Sequence, residues 1–248
     1  MLIKGKVGII TGAASGMGRA ASGLFAREGA QILCADVNAE GAAETAKTVT
    51  AGGGAAAAAA LDIGDRKSCD AAVRQAVDRF GRVDFLANFG GVWDGRDTAE
   101  IDEEHWDRIL DINLKGTFLI CQAVAPVMIK QKYGRIVLIG SIAARVGGSM
   151  GGPHYAASKG GVNSLSRALA RRMGKHNVTV NSINPGPVES AMTAGWSPQD
   201  KTDLIKGIPL GRLGQPIDIA SVALFLISDL ANWMTGETLE VNGGLYFG

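Results

Sequence analysis

Hydrophobic and polar positions divide the chain into short apolar runs that alternate with longer amphipathic stretches. The apolar runs have the length of buried strands, and the stretches between them repeat with a period near 3.6, which is typical of helices. The predicted strands are residues 6–10, 31–36, 57–61, 83–87, 135–140, 178–183 and 238–242. The clearest predicted helices are residues 18–28, 66–80, 103–130, 155–176 and 216–228.

This alternation predicts the architecture. Strands that are apolar throughout and separated by helices belong to a parallel sheet with helices on both faces. Right-handed crossovers between such strands give a doubly wound sheet. Because no linker, charge block or repeat interrupts the 248 residues, we predict a single α/β domain over residues 1–248, with about seven strands.

Two segments fit the alternation less well. Alanine has the highest helix propensity, yet the alanine run that ends at Ala60 follows three glycines and precedes Leu61 and Asp62. A short strand therefore fits the pattern better there. Around residues 196–207 the alternation fails, and the sequence is compatible either with a helical lid or with a mobile loop.

The charge balance and the cysteines limit the classes of partner. The 25 Lys and Arg residues nearly cancel the 24 Asp and Glu residues, so we predict no basic surface for nucleic acid or membranes. No stretch reaches 18 consecutive apolar residues, and the first residues lack a signal-peptide pattern. The three cysteines have neither zinc spacing nor a CxxC motif. We therefore expect a cytoplasmic protein without a metal, nucleic-acid or membrane partner.

A glycine-rich turn, TGAASGMG at residues 11–18, joins the first predicted strand to the first predicted helix. In this context Gly12, Gly16 and Gly18 allow a tight turn, a close approach of pyrophosphate and close packing of helix on strand. The N–H groups at the start of the helix then favour a phosphate. The turn predicts a Rossmann-type dinucleotide site.

Asp36 ends the second predicted strand, 20 residues after Gly16. A carboxylate at this place accepts hydrogen bonds from the ribose hydroxyls of the adenosine half of NAD. In NADP the 2′-hydroxyl carries a phosphate, whose negative charge would lie against Asp36. The positions from which a cation would meet that phosphate hold Ser15, Val37 and Asn38. We therefore expect NAD as the cofactor.

The stretch PHYAASKGG, residues 153–161, places Tyr155 and Lys159 four residues apart. On a helix these positions share one face. An ammonium group held that close favours the phenolate form of the tyrosine. Taken alone, the pattern is too loose to be specific, and a solvated helix surface is the better interpretation of the pair.

Across its whole length the chain resembles the short-chain dehydrogenases/reductases, in the branch of about 250 residues. No single motif is specific, but the set is, because all its members occur in the family's order and spacing. The motifs are TGAASGMG (11–18), LDI (61–63), ANFGG (87–91), DIN (111–113), IGS (139–141), YAASK (155–159), INPGPVES (183–190) and TGETLEVNGG (235–244).

The resemblance implies a role for each matching position. It implies that Asp62 and Ile63 hold the adenine, that Asn88 and Gly90 support the pocket and the central sheet, and that Val188 meets the nicotinamide carboxamide. The catalytic tetrad would be Asn113, Ser141, Tyr155 and Lys159. The cofactor-binding positions would be Gly12, Ser15, Gly16, Met17, Gly18, Asp36, Asp62, Ile63, Asn88, Gly90, Tyr155, Lys159, Pro185, Gly186, Val188 and Ser190.

The chemistry of alcohol oxidation requires the residue types that form this tetrad. A hydroxyl proton must leave while a hydride departs from the same carbon, and a base works best with a pKa near the operating pH. Lys159, with the positive nicotinamide ring nearby, would lower the pKa of Tyr155. Ser141 would hydrogen-bond the substrate oxygen, and Asn113 would hold a water that links Lys159 to solvent.

The chain departs from the family pattern at three places. Phe89 replaces a small residue beside the cofactor, and Ser190 replaces a threonine but keeps the hydroxyl. The interval between Ser141 and Tyr155 is one residue longer than usual, within residues 146–152. That stretch should line the substrate pocket.

Substrate contacts are expected from Ser141 and Tyr155 and from large side chains that follow the strand ends or lie in the suspected lid. We predict an apolar pocket that favours neutral alcohols. We interpret His154 as an exposed residue at a helix start. The apolar pocket residues would be Trp93, Met150, Met192 and Trp196.

The sequence therefore predicts an NAD-dependent oxidoreductase that interconverts a secondary alcohol and a ketone, with a small-molecule substrate. One alternative is a 3-oxoacyl-[acyl-carrier-protein] reductase, although that activity normally uses NADPH and a basic patch for its acidic carrier. Another alternative is a nucleotide-binding scaffold or sensor that has lost catalysis. The family resemblance further implies a homotetramer.

Overall fold

The structure is a computed structural model that describes residues 1–147, 151–190, 195 and 197–248. Within these residues seven strands form one sheet, in which every neighbouring pair is parallel. The strands are β1 (Val7–Thr11), β2 (Gln31–Asp36), β3 (Ala55–Ala60), β4 (Phe85–Asn88), β5 (Gly134–Ile139), β6 (Val178–Pro185) and β7 (Thr238–Val241). Their order across the sheet is β3-β2-β1-β4-β5-β6-β7.

Helices connect the strands and cover both faces of the sheet. The α-helices of the described residues are α1 (Gly16–Arg27), α2 (Ala39–Ala51), α3 (Arg66–Phe80), α4 (Glu103–Leu110), α5 (Thr117–Gln131), α6 (Ala143–Val146), α7 (Pro153–Met173), α8 (Pro198–Lys206) and α9 (Pro216–Ile227). Side chains of α3, α5 and α7 join one hydrophobic core, and those of α1 and α9 join a second. Successive residues of a strand point to opposite faces. Ile9 accordingly lies in the first core with Leu33, and Ile10 lies in the second with Ile32. The predicted doubly wound sheet is confirmed.

The strand order reverses between β1 and β4, because the chain first builds outward to β3 and then returns to the other side of β1. In such sheets ligands bind outside the carboxyl ends of the strands at this switch point. Thr11 and Asn88 end the two strands and pair with each other. The candidate site is built around these two ends.

Two predicted elements differ in detail from the structure. The alanine run is a strand, as predicted, but it begins at Ala55 and pairs in register with β2 from Gln31 onward. The long helix predicted over residues 103–130 is interrupted by a π-helical segment at residues 111–116. There the Thr117 hydroxyl donates to the Asn113 carbonyl at 2.6 Å. Such π-helical turns cannot be inferred from hydrophobic spacing alone and are frequent at functional sites.

By length and composition, the helical stretch 103–131 is the one described helix that would be long enough to cross a membrane. It packs against α3, α7 and the sheet, as the core helix of a folded domain does.

Within the suspected lid, residues 198–206 form α8, whose N-cap Ser197 accepts a hydrogen bond from the Asp200 N–H at 3.1 Å. Residues 198–206 of this segment are therefore helical, and their role as a lid stays a prediction.

Candidate active site

The loop between β1 and α1 has the geometry of a phosphate-binding turn. Gly12 and Gly16 have positive φ angles of 65° and 50°, which other residues rarely adopt. A Cβ on Gly12 would lie 2.9 Å from the carbonyl carbon of Phe89, and one on Gly18 would lie 2.2 Å from the Gly12 oxygen. The helix α1 packs this closely on the end of β1 because position 18 is glycine.

Space remains in front of the N-terminus of α1. A Cβ on Gly16 would meet no atom within 4 Å, and the N-cap residue Ser15 makes no capping hydrogen bond through its side chain. The first N–H groups of a helix and its macrodipole both favour an anion. Met17 packs against the core behind them. The loop therefore fits the pyrophosphate of a dinucleotide.

Asp36 lies beside this loop at the end of β2. Its Oδ2 accepts a hydrogen bond from the Ala14 N–H at 3.0 Å, and its Oδ1 accepts one from the Asn38 N–H at 2.9 Å. A carboxylate has about four acceptor positions, so it keeps capacity for further donors such as ribose hydroxyls. Val37, next to it, is 76% exposed.

Arg19 is the nearest basic residue on the first helix. Its guanidinium donates to the Ala14 carbonyl, and its Nε donates to Thr45 Oγ1 at 3.1 Å. These two contacts hold Arg19 against α2 and the glycine loop.

Asp62 and Ile63 follow β3, which is where residues that contact the adenine of a cofactor are expected. Asp62 is exposed, and its Oδ1 accepts a hydrogen bond from the Gly64 N–H at 2.8 Å. Ile63 is buried between two glycines: a Cβ on Gly90 would lie 3.3 Å from Ile63 Cδ1, and one on Gly116 would lie 3.0 Å from Ile63 Cγ1. Ile63 thus joins the ends of β3 and β4 to the π-helical segment.

A buried chain of hydrogen bonds crosses the switch point at Asn88. Its Oδ1 accepts from the Thr11 hydroxyl at 2.6 Å, and its Nδ2 donates to Thr117 Oγ1 at 2.9 Å. The Gly90 N–H donates to Thr11 Oγ1 at 2.9 Å. The network fixes the end of β4 to that of β1, and sequence reasoning missed both threonines. The available signal was a polar residue at the end of an apolar strand.

Asn113 lies in the π-helical segment and is 1% exposed. Its Nδ2 donates to the Val92 carbonyl at 2.9 Å and to Ser158 Oγ at 3.1 Å, and its Oδ1 accepts from the Val92 N–H at 2.8 Å. The side chain therefore ties the loop after β4 to α7. The water contact implied for Asn113 stays a prediction.

Ser141 and Tyr155 meet beyond the carboxyl end of β5. The Ser141 hydroxyl accepts a hydrogen bond from the Ala143 N–H at 3.1 Å. Burial raises the pKa of Tyr155, and the Ser141 hydroxyl counteracts part of this rise. Within the protein alone, burial thus opposes the lowered pKa of Tyr155 that the sequence predicts.

Lys159 lies behind Tyr155, one helical turn along α7. Its Nζ is 5.8 Å from the centroid of the Tyr155 ring and donates to the Ile139 carbonyl at 3.0 Å. Burial lowers the pKa of Lys159 to about 8. A Cβ on Gly91 would lie 3.0 Å from Asn113 Oδ1 and 3.4 Å from Lys159 Nζ. The four tetrad positions are therefore brought together at this end of the sheet.

The end of β6 and the segment that follows it lie at the same edge of the sheet. Pro185 accepts a hydrogen bond from the Ile142 N–H at 3.0 Å, and the Gly186 N–H donates to the Val241 carbonyl at 3.0 Å. Val188 is buried and forms a parallel bridge with Gly214. Ser190, at the end of this segment, is half-buried.

Trp93 is the predicted pocket residue that the structure brings to the tetrad. A Cβ on Gly151 would lie 2.8 Å from Tyr155 Cδ1 and 3.4 Å from Trp93 Nε1, so the two rings border the same glycine. Arg145, a nearby cation, pairs instead with Glu240 at 2.8 Å. The other predicted pocket residues, Met150, Met192 and Trp196, lie outside the described residues.

The interpretation of His154 as an exposed residue is wrong, because this side chain is 0% exposed. Its Nε2 lies 3.5 Å from Asp94 Oδ2, and Asp94 also pairs with the Arg96 guanidinium. The Gly152 N–H donates to the Asp94 carbonyl at 2.9 Å. The start of α7 is therefore fixed to the loop after β4, a long-range contact that no local pattern indicates. Phe89, in that loop, packs into a hydrophobic core.

Comparisons with known proteins agree with this geometry. Residues 12–246 match the sequence family described as Enoyl-(Acyl carrier protein) reductase. The chain is 37% identical over 245 residues to the 3-oxoacyl-[acyl-carrier-protein] reductase FabG of Thermotoga maritima, with 99% of each chain covered. It is 39% identical over 244 residues to the (2S)-[(R)-hydroxy(phenyl)methyl]succinyl-CoA dehydrogenase subunit BbsD of Thauera aromatica, with 98% of each covered.

Solved structures show the same fold. The crystal structure of a 3-oxoacyl-[acyl-carrier protein] reductase from Brucella melitensis superposes with a TM-score of 0.94 at 33% identity, over 100% of this chain and 93% of that one. The structure of gox2181 gives a TM-score of 0.94 at 32% identity, over 98% of this chain and 96% of that one.

A glycine loop at the switch point of a doubly wound sheet defines a Rossmann-type dinucleotide-binding protein. The chain belongs to the short-chain dehydrogenase/reductase family, as the family match and the relatives at 37–39% identity show. It is accordingly an oxidoreductase.

Proposed function

We propose that this protein interconverts a secondary alcohol and a ketone by hydride transfer with NAD, and that Tyr155 is the general acid/base. The grouping of Ser141, Tyr155 and Lys159, with Lys159 Nζ 5.8 Å from the centroid of the Tyr155 ring, carries this proposal. In it, residues 1–248 act as one dinucleotide-binding and catalytic domain on a small-molecule substrate.

The residues present fit a dinucleotide. The glycine loop leaves space at Gly16 beside the N-terminus of α1, and Asp36 borders that loop. The pyrophosphate would lie at the loop, the ribose hydroxyls at Asp36, and the nicotinamide half near Val188, Ser190 and the tetrad. The chemistry supplied by a bound nicotinamide is hydride transfer.

The proton is handled by the protein's own side chains. In the oxidation direction Tyr155 Oη accepts the hydroxyl proton of the alcohol, and in the reduction direction it returns that proton to the ketone oxygen. Ser141 Oγ donates a hydrogen bond to the same oxygen and stabilises charge on it. The buried Lys159 ammonium favours the phenolate of Tyr155, and Asn113 keeps α7 in position beside it.

NAD is proposed as the cofactor because the Asp36 carboxylate borders the glycine loop at the end of β2. A phosphate on the ribose would meet a like charge, which costs about 4 kcal/mol at about 4 Å and an effective dielectric near 20. Arg19 is bound to Ala14 and Thr45, which leaves fewer of its donors for a ribose phosphate. These contacts support NAD over NADP.

A second candidate is the reduction of a 3-oxoacyl thioester. The relatives named 3-oxoacyl-[acyl-carrier-protein] reductase favour it, and BbsD, another relative, is named for a CoA thioester. The hydride and proton steps would be the same, since a 3-oxo group is also a ketone. The two candidates differ in the cofactor and in the group attached to the ketone.

The test is a cofactor assay with both NAD(H) and NADP(H). One arm uses a panel of neutral secondary alcohols and ketones, and the other uses a 3-oxoacyl-CoA thioester. Turnover of neutral alcohols with NAD supports the proposal, and exclusive turnover of the thioester with NADPH supports the second candidate. Tight NAD binding with no turnover in either arm would indicate the scaffold or sensor alternative.

The family likeness also supports an assembly and a location. Relatives of this chain commonly form oligomers, and the FabG relatives are soluble cytosolic enzymes. We include in the proposal that the protein is a cytoplasmic homotetramer.

A further inference from the structure

A polar network next to Ser141 extends from two buried asparagines to an ion pair nearer the surface. It consists of Asn163 on α7, Asn184 on β6, Glu240 on β7 and Arg145 on α6. Asn184 is 0% exposed and Asn163 is 5% exposed. Buried amides are costly unless their hydrogen bonds are made.

Asn184 is the centre of this network. Its Oδ1 accepts from the Ser141 backbone N–H at 3.0 Å and from Asn163 Nδ2 at 3.0 Å, and its Nδ2 donates to Glu240 Oε1 at 2.9 Å. The backbone donor at Ser141 fixes which end of the amide is oxygen. Glu240 Oε1 accepts in addition from Arg145 Nε at 2.8 Å.

The network connects the two parts of the site that must meet. Ser141 follows β5, whereas Tyr155 and Lys159 are on α7, and Asn163 lies one turn beyond Lys159 on that helix. One oxygen, Asn184 Oδ1, binds the serine backbone and the helix side chain at the same time. The backbone packs closely on this oxygen, because a Cβ on Gly140 would lie 2.2 Å from it.

We propose that Asn184 is a positioning residue, oriented by Glu240, that holds Ser141 against α7 so that its hydroxyl reaches Tyr155. This inference rests on the proposed function, because it assigns a purpose to the contact between Ser141 and Tyr155. Arg145 completes the network by compensating the charge of Glu240 near the surface. Asn184, which touches no substrate, would thereby control the position of Ser141 relative to Tyr155.

The test compares Asn184→Ala with Asn181→Ala. Asn181 is a matched control, since it lies on the same strand, is 1% exposed, and bonds to Met234 and Glu237 rather than to Ser141. Two quantities are measured: kcat, and the pH at which Tyr155 ionises. The latter is followed by tyrosinate absorbance as the difference between each protein and its own Tyr155→Phe derivative.

For Asn184→Ala we expect a loss in kcat of about tenfold, which corresponds to one lost hydrogen bond. Its Tyr155 should also ionise at higher pH than in the wild type, because the hydroxyl that lowers the pKa of Tyr155 is displaced. Asn181→Ala should keep the wild-type kcat and titration even if its Tm falls. Equal behaviour of the two variants in both measurements would overturn the inference.

Glu240 gives a second route that does not depend on the folding of Asn184→Ala. Glu240→Gln keeps an oxygen that accepts from Asn184 Nδ2, so the wild-type titration of Tyr155 should persist. Glu240→Leu removes the acceptor and should shift the titration in the direction of Asn184→Ala. A shift of the same size in both Glu240 variants would mean that charge, not orientation, is responsible, and would contradict the inference. Because the titration needs no turnover, it remains decisive even if Tyr155→Phe retains activity and the proposed function fails.

Discussion

Burial acts in opposite directions on the two central side chains of the site. It raises the pKa of Tyr155 and lowers that of Lys159 to about 8, because in both cases it disfavours the charged form. An enzyme that needs a tyrosine proton acceptor must overcome the first shift. The Ser141 hydroxyl does so in part, and the ammonium 5.8 Å from the ring favours the phenolate as long as Lys159 is protonated.

At the scale of this residue pair, Tyr155→Phe should lower turnover at least ~100-fold, the usual size of acid–base catalysis. The substitution keeps the ring and removes the proton acceptor, so the Kd for NAD should change little. Steady-state kinetics and cofactor titration measure the two quantities. Retention of most activity would show that another group transfers the proton.

Lys159 should make stability depend on pH. Its pKa is about 8 in the folded protein and about 10.4 in an unfolded chain, so the unfolded state binds more protons between these values. The free energy of unfolding should therefore rise with pH in this window. Relative to Lys159→Met, we expect a gain of about 2 kcal/mol between pH 8 and pH 10.

Denaturant unfolding of the cofactor-free protein at several pH values measures this difference. A difference that stays constant with pH would contradict the lowered pKa of Lys159. In the same variant, NAD binding and turnover should both fall, because one ammonium serves the ribose and the tyrosine.

Asp36 should determine the choice of cofactor. We expect kcat/KM for NAD to exceed that for NADP at least ~10-fold. This ratio is smaller than the one that the full like-charge repulsion would give. Asp36→Ala should narrow the difference, and adding Val37→Arg, at a site that is 76% exposed, should reverse it. Asp36→Asn is the control, because it keeps an acceptor for the Ala14 N–H and removes only the charge. A wild-type preference for NADPH would show that Asp36 does not face the ribose.

At the scale of the element, α1 depends on one close approach to β1. Gly18 lies where a Cβ would come 2.2 Å from the Gly12 oxygen, whereas a Cβ on Gly23 of the same helix would meet only Arg27 Nη1 at 3.5 Å. The helix can therefore accept alanine in its middle but not in its first turn. The difference follows from packing, since both positions are helical.

We accordingly expect opposite effects from two similar substitutions. Gly18→Ala should move α1 away from the glycine loop and weaken NAD binding by at least about tenfold, or about 1.4 kcal/mol. Gly23→Ala should leave binding unchanged and stabilise the protein by about 0.5–1 kcal/mol through helix propensity. Thermal unfolding and NAD titration of both variants provide the check, and equal NAD affinities would exclude the packing argument.

At the scale of the whole molecule, the seven strands of the sheet all come from one chain. Large apolar side chains nevertheless remain exposed on the helical stretch 103–131, with Trp106 at 44% and Phe118 at 39%. Burial of such side chains favours association. This exposure is compatible with the proposed homotetramer.

Light scattering coupled to size-exclusion chromatography should therefore give four times the mass of one chain. Phe118→Glu should reduce this mass, since the substitution introduces charge on an apolar surface. A wild-type protein of single-chain mass would contradict the tetramer and leave the proposed chemistry unaffected.

The sequence by itself predicted the parallel sheet, because strands buried on both faces must be apolar and their connecting helices must be amphipathic. It also placed the glycine loop, Asp36 and the Tyr155–Lys159 pair, since each depends on short-range spacing. The positions of Asn113 and Ser141 followed from family motifs. All of these are features that neighbouring residues encode.

Only the tertiary structure decided what depends on residues far apart in the chain. It buried His154 against Asp94, turned the middle of the predicted helix at Asn113 into a π-helical segment, and placed Asn184 beneath Ser141. It also set the burial that shifts the pKa of Tyr155 and Lys159. A local pattern specifies which face of an element is apolar, but desolvation and long-range hydrogen bonds arise only when separate elements pack together.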